Sequence, residues 1–338
     1  FISTLSVGGA GFFFIIPIFT PPPHRFRPAP GPAGPALTGR GPTSDRPYNY
    51  LLRGTALFFG AVIIVFVWSV VKTAWPALHT YGFHIITGSS WVAGTGPYGA
   101  LPLIIDTVAT TVIALVIAVP VGLASALALL YLIPRRLRPT AASLVELLAA
   151  VPSVVYGLWG LWFLVPLFIN HVQPFLSRLT GNSWPFNGPH EGFSILLAGF
   201  VLSIMILPTI VAISRDVIAT VPAELIEGGL SLGATRGQVF TRVVLPTART
   251  GILGAIALGA GRALGETIAV AMVVGANPEI PHSLFAPGAT LASTIATEFG
   301  NAAGTEGGAL AALALILMII TAGVNAGARA LTKKAVAH

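Results

Sequence analysis

Apolar runs longer than the ~18–20 residues that cross a bilayer core recur along this chain, and they decide what it can fold into. The composition agrees: 54% of the 338 residues are hydrophobic and only 9% are Asp, Glu, Lys or Arg. A soluble domain carries about 25% charged residues, so a water-facing surface cannot be covered here. Lipid is the main solvent, and one membrane domain is expected. There is no cysteine, which excludes disulfides, thiolate nucleophiles and Cys-ligated metals.

The spans are expected at about 51–75, 101–132, 143–169, 194–214, 251–276 and 309–331. Pro152, Pro166 and Pro208 fall inside them, which membrane helices tolerate when neighbours satisfy the freed backbone groups. Residues 1–47 read as an apolar, Phe-rich stretch followed by a Pro/Arg-rich linker, and disorder is expected. The apolar part lacks the charged start and small-residue cleavage site of a signal peptide. Because residue 1 is Phe and not Met, a truncated or incorrectly assigned start is the other reading of this end. The ordered domain is expected over 50–333.

Lys and Arg set the orientation. Of the 18 basic residues, 15 fall on one side of a six-span layout: Arg25, Arg27, Arg40, Arg46, Arg53, Arg135, Arg136, Arg138, Arg215, Arg236, Arg242, Arg249, Arg329, Lys333 and Lys334. Both ends of the core are therefore expected in the cytoplasm. The charges are spread between spans rather than gathered on one face, which argues against a nucleic-acid partner despite a net charge of +7. Trp75, Trp91 and Trp184 lie in or beside the outer segments and suit an interface belt.

Residues 215–250 form the longest inner segment. Pro222, Ala223 and Glu224 resemble a helix start, with acid near the positive end of the dipole. Glu227 continues that helix and Gly233 can end it. A second short helix from Thr235 leads to Leu245-Pro246. The bland reading is a solvated basic loop that only sets topology; the functional one is a rigid docking element. Gly229-Leu230-Ser231-Leu232-Gly233 also matches a nucleophile-elbow pattern, but no strand precedes it and no His is near.

Gly261-Arg262-Ala263-Leu264-Gly265-Glu266-Thr267 places two charges in an apolar helix. Each costs about 2.5–3.5 kcal/mol at mid-bilayer on insertion scales. Four residues apart, Arg262 and Glu266 are expected on one helix face. They either form an ion pair that locks the bundle or make an anion site in which the guanidinium fork meets an oxyanion, and Glu266 can hold Arg262 when the site is empty. Asp106 and Glu146 are further candidates for lining a pathway, although such residues more often cap or pair near helix ends. No G-x-x-x-x-G-K-[ST] run occurs, so ATP phosphates are not cradled here by that route. The seven histidines lie outside the expected spans and form no H-E-x-x-H, and no metal site is expected.

The segment Glu227-Gly228-Gly229, Gly233 and Val243-Val244-Leu245-Pro246 resembles the EAA loop of ABC importer permeases. Two glycines replace the family's alanines, weakening helix propensity by about 1 kcal/mol per site. Gly261 to Thr267 resembles the fifth-span signature of the phosphate-specific permeases of the PstC type. Leu101-Pro102 through Ala118-Val119-Pro120-Val121, Glu146 through Gly157, and Leu291 through Ala296 agree. The resemblance covers about 50–333.

It implies an all-α membrane protein: a six-helix type I ABC importer transmembrane domain with a cytoplasmic coupling-helix loop, in the bacterial plasma membrane. It implies inward phosphate transport, with Arg262 and Glu266 on the substrate pathway and Glu224, Glu227, Gly228, Gly229, Gly233, Leu245 and Pro246 in the ATPase-coupling loop. The implied partners are a homologous PstA-type permease, two PstB-type ATPase subunits that hold ATP and Mg, and an extracytoplasmic PstS-type phosphate-binding protein. Permeation of another oxyanion, sulfate or molybdate, is the alternative, and an intramembrane serine hydrolase using Ser231 is a remote one.

Overall fold

The computed structural model describes residues 46–336, and the segment 1–45 lies outside them. Arg46 and Pro47, assigned above to the N-terminal extension, open the first helix instead. The regular elements among the described residues are all helices, apart from two isolated β-bridges, Trp91 with Tyr98 and Gly275 with Gly288. The helices are α1 (Arg46–Tyr81), α2 (His84–Thr87), α3 (Leu101–Leu127), α4 (Arg138–Ala150), α5 (Ser153–Trp159), α6 (Val165–Leu167) and α7 (Gln173–Leu179). They continue as α8 (Ile195–Ala219), α9 (Ala223–Ser231), α10 (Arg236–Val239), α11 (Leu245–Leu264), α12 (Ile268–Val273), α13 (Leu291–Glu298) and α14 (Thr305–Val336).

Six helical stretches are long and apolar enough to cross a membrane: Asn49–Tyr81, Leu101–Leu132, Ser153–Leu179, Ile195–Ala219, Arg236–Leu264 and Thr305–Thr332. Two differ from the sequence reading in an informative way. The third was expected over 143–169. Instead α4 is a separate helix with no buried residue, and the chain turns at Val151 (ψ 128°) before Pro152. A proline disfavours the helical region for the residue before it, and that local rule overrides the apolar pattern. The fifth was expected as one helix over 251–276. It starts earlier, at a capping box in which Thr235 Oγ1 accepts from Gln238 N and the Gln238 side chain accepts from Thr235 N. It also ends earlier, at Leu264.

Several spans are stitched through prolines by wider, π-helical turns. These cover Ala128–Leu132, Gly160–Leu164, Phe168–Val172 and Phe240–Val244. In each case a proline follows two residues after the last residue of the turn: Pro134, Pro166, Pro174 and Pro246. A proline ring within a helix clashes with the carbonyl four residues back; at Pro166, Pro174 and Pro246 that carbonyl lies inside the widened turn, which makes room for it, whereas the helix ends at Ile133 before Pro134. Leu245-Pro246 is thus carried within the fifth span rather than ending a short helix.

The core has three parts. One joins α3, α8, α12 and the third span around Leu197, Val201, Met205 and Val270. A second gathers Ala74, Trp91, Tyr98, Leu103, Leu291 and Leu310. The third sits at the Arg-rich end around Ala126, Ile218, Val239, Val244 and Ile252. Ile64, Val65 and Trp68 on the first span are all at least 65% exposed. Exposed apolar residues on a helix of that length are what a hydrocarbon surround requires.

Candidate functional site

The helix of the fifth span breaks off at Leu264. Gly265 caps α11, with its N–H on Gly261 O, and Glu266 N bonds Ala263 O. Thr267 (φ −113°, ψ −68°) then restarts the chain as α12. Glycine lowers helix propensity by about 1 kcal/mol relative to alanine, and Gly259, Gly261 and Gly265 crowd this turn. Gly259 has a packing reason, because a Cβ there would press on Ile210 of α8 at 3.1 Å.

Arg262 lies in the last turn of α11, where a cation suits the negative end of the helix dipole. It is partly buried, and its Nη1 donates to Thr209 Oγ1 of α8 at 3.2 Å. Thr209 stands well inside the fourth span, so the guanidinium is held at membrane depth. Glu266 is also partly buried but lies beyond the helix end, and no ion pair joins it to Arg262. The expectation that the two share one continuous helix face is therefore corrected: the break at Gly265 separates them. Arg262 has five N–H donors, and one is used in the bond to Thr209. The arrangement offers a partly buried cation with donors to spare, within one turn of the end of α11.

The other candidates fall elsewhere. Asp106 does not line a pathway: it has no exposed surface, and its Oδ2 accepts the N–H of Ala289 at 2.8 Å. Glu146 is an exposed residue of α4, 3.8 Å from the Arg215 guanidinium, which also bonds Asp216 at 3.0 Å. Trp91 is not an interface residue either. It is 3% exposed, and its Nε1 donates to Glu298 Oε2 at 2.8 Å. Burial raises the Glu298 carboxyl above its ordinary value, the Trp91 bond lowers it, and nearby Glu306 raises it again. Sequence reasoning missed Thr209 and Glu298 because each acts through a partner far along the chain.

At the Arg-rich end, α9 projects with no buried residue. Glu224 and Glu227 are exposed, as are Leu225, Leu230 and Leu232. The helix ends in a reciprocal pair of bonds, Ala234 N to Gly229 O and Gly233 N to Leu230 O, with Gly233 at φ +84°. This is the Schellman closure, which calls for glycine at that position. Ser231 Oγ donates to Glu227 O within the same helix, so it occupies no nucleophile elbow. The two glycines that replace alanines differ in surroundings. A Cβ at Gly228 meets nothing within 4 Å, whereas one at Gly229 would come within 3.1 Å of Val239. Gly228→Ala is expected to stabilise α9 by about 0.5–1 kcal/mol, and Gly233→Ala to destabilise it by about 1 kcal/mol. Amide hydrogen exchange across 223–234 checks both, with protection rising in the first variant and falling in the second.

Residues 118–336 match the family described as binding-protein-dependent transport system inner membrane component. The phosphate transport system permease protein PstC of Pasteurella multocida (strain Pm70) is 42% identical over 279 residues, covering 80% of this chain and 87% of that protein. The PstC of Mesorhizobium japonicum is 45% identical over 258 residues, covering 75% and 79%. In fold, the chain is similar to a component of a bacterial alginate ABC transporter solved with an alginate pentasaccharide-bound periplasmic protein. The TM-score is 0.58 at 16% identity, over 86% of this chain and 96% of that one. With six helical stretches long and apolar enough to cross a membrane, the chain belongs to the inner-membrane components of binding-protein-dependent transport systems, among the permeases of the PstC type.

Proposed function

We propose that this chain is a phosphate-translocating permease subunit of an ATP-driven importer. The observation that carries the reading is Arg262: a charge held at membrane depth by Thr209, unpaired with Glu266, at the break of a span. Its relatives are phosphate permeases by name. An oxyanion accepts the remaining guanidinium donors. Glu266, across the break, can accept a hydrogen bond from a protonated phosphate oxygen. Sulfate and molybdate carry no such proton near neutral pH, so the same carboxylate works against them.

The exposed helix α9 is the surface on which an ATPase subunit (PstB type) docks, holding ATP and Mg outside this chain. A PstA-type permease completes the pore, and a PstS-type binding protein delivers phosphate at the opposite end. Family membership and the charge asymmetry support this arrangement, with the Arg-rich ends in the cytoplasm of the bacterial plasma membrane.

Labelled phosphate uptake into vesicles carrying the assembled importer tests the reading. Uptake should require ATP and should persist in excess sulfate or molybdate. Competition by either oxyanion at concentrations comparable to phosphate would move the assignment to a general oxyanion permease.

A further inference from the structure

Asp106 does something that the pathway reading leaves unused. Its carboxylate is fully buried in α3, Oδ2 takes the N–H of Ala289, and Oδ1 has no partner among the described residues. One residue along, Thr107 Oγ1 accepts the N–H of Leu291 at 2.9 Å while donating to Leu103 O at 2.6 Å. Two adjacent side chains of the second span thus hold two amides of one distant segment. Gly288 permits the approach, because a Cβ at that position would overlap Asp106 Oδ2.

A neutral hydroxyl can accept an amide at far lower desolvation cost, as Thr107 does next door. What the Asp106 side chain adds is reach: its Oδ2 lies one bond farther from Cα than a threonine Oγ1 and meets Ala289 N at 2.8 Å. The grip is passed on. Gly288 N bonds Val274 O at 2.9 Å, and Asn277 N bonds Gly288 O at 3.1 Å. Ser194 N bonds Val273 O at 3.3 Å. Val273 and Val274 close α12, whose other end is the Glu266–Thr267 break. Along its flank α12 is seated against the third span at Gly157 and Gly160, where a Cβ would collide with Met272 or Val273.

We propose that Asp106 is a positioning residue for translocation: it pins the 286–291 segment to the second span and, through Gly288 and Val274, fixes α12 and the Glu266 end of the broken helix. This rests on the reading that Arg262 and Glu266 flank the phosphate pathway.

The test uses the complete importer in vesicles. The chain has no cysteine, so spin labels at Ile268→Cys and Val112→Cys, both exposed positions, report the spread of distances between α12 and the second span. Asp106→Ala should broaden that distribution and cut phosphate moved per ATP hydrolysed by roughly tenfold. Asp106→Asn, whose amide oxygen can still accept from Ala289, should keep the distribution narrow and the transport ratio within about twofold of the native value. Gly288→Ala, which crowds the carboxylate while leaving it in place, should behave like Asp106→Ala and serves if the latter fails to assemble. A narrow distribution or native transport ratio in both Asp106→Ala and Gly288→Ala overturns the proposal, as does Asp106→Asn behaving like Asp106→Ala. Retained uptake in Arg262→Ala would instead sink the pathway reading, and the distance measurements would still report on the clasp.

Discussion

Arg262→Ala is expected to reduce phosphate uptake by at least ~100-fold while the importer still assembles. The guanidinium makes one hydrogen bond to Thr209 and no ion pair with Glu266, so its removal leaves no buried partner charge stranded. Thr209 loses a donor but can turn its hydroxyl to a carbonyl of its own helix. The loss should therefore appear in transport and not in folding. Arg262→Lys should recover part of the activity, because the charge returns without the planar fork. Uptake assays on vesicles, paired with a check that all subunits co-purify, decide the matter. Native uptake in the alanine variant would remove Arg262 from the pathway.

Glu227→Lys is expected to cost at least ~10-fold in ATP-driven transport. The side chain is exposed on α9, where lysine is as good a helix former as glutamate, and an exposed substitution away from packed features changes stability by about 0.5 kcal/mol or less. The helix itself should survive, as circular dichroism and hydrogen exchange can verify. What changes is the sign of a charge on the surface proposed to meet the ATPase. Unaltered stimulation of ATP hydrolysis by the binding protein, together with unaltered transport, would count against docking through this helix.

The spans were readable because lipid demands a long apolar run wherever a helix crosses it. Their ends were less so. Val151-Pro152 could have been read as a boundary from the restriction before proline, but the surrounding leucines and alanines made the run look continuous. The break after Leu264 was hidden in a similar way: the apolar residues of α12 resume at once, and only the density of glycines marks the gap. Cap chemistry at Thr235 and closure at Gly233 were legible because both are local. The bonds of Asp106 to Ala289, Arg262 to Thr209 and Trp91 to Glu298 were not, since nothing near a residue announces a partner 183, 53 or 207 positions away. Arg262 and Glu266 were both flagged by sequence, yet their relation was misread, because spacing of four implies a shared face only while the helix between them is unbroken.

The place of that break matters for how force travels. From Arg236 to Leu264 the fifth span is one rod, its foot beside α9 and its tip at Arg262. Past Gly265 the chain continues as α12, which packs into the glycine notch of the third span at Gly157 and Gly160. If Asp106 holds α12 as proposed, a push delivered at the foot moves Arg262 relative to α12. For the proposed phosphate import, the space between Arg262 and α12 then opens and closes around the anion, much as a jaw works against a fixed anvil.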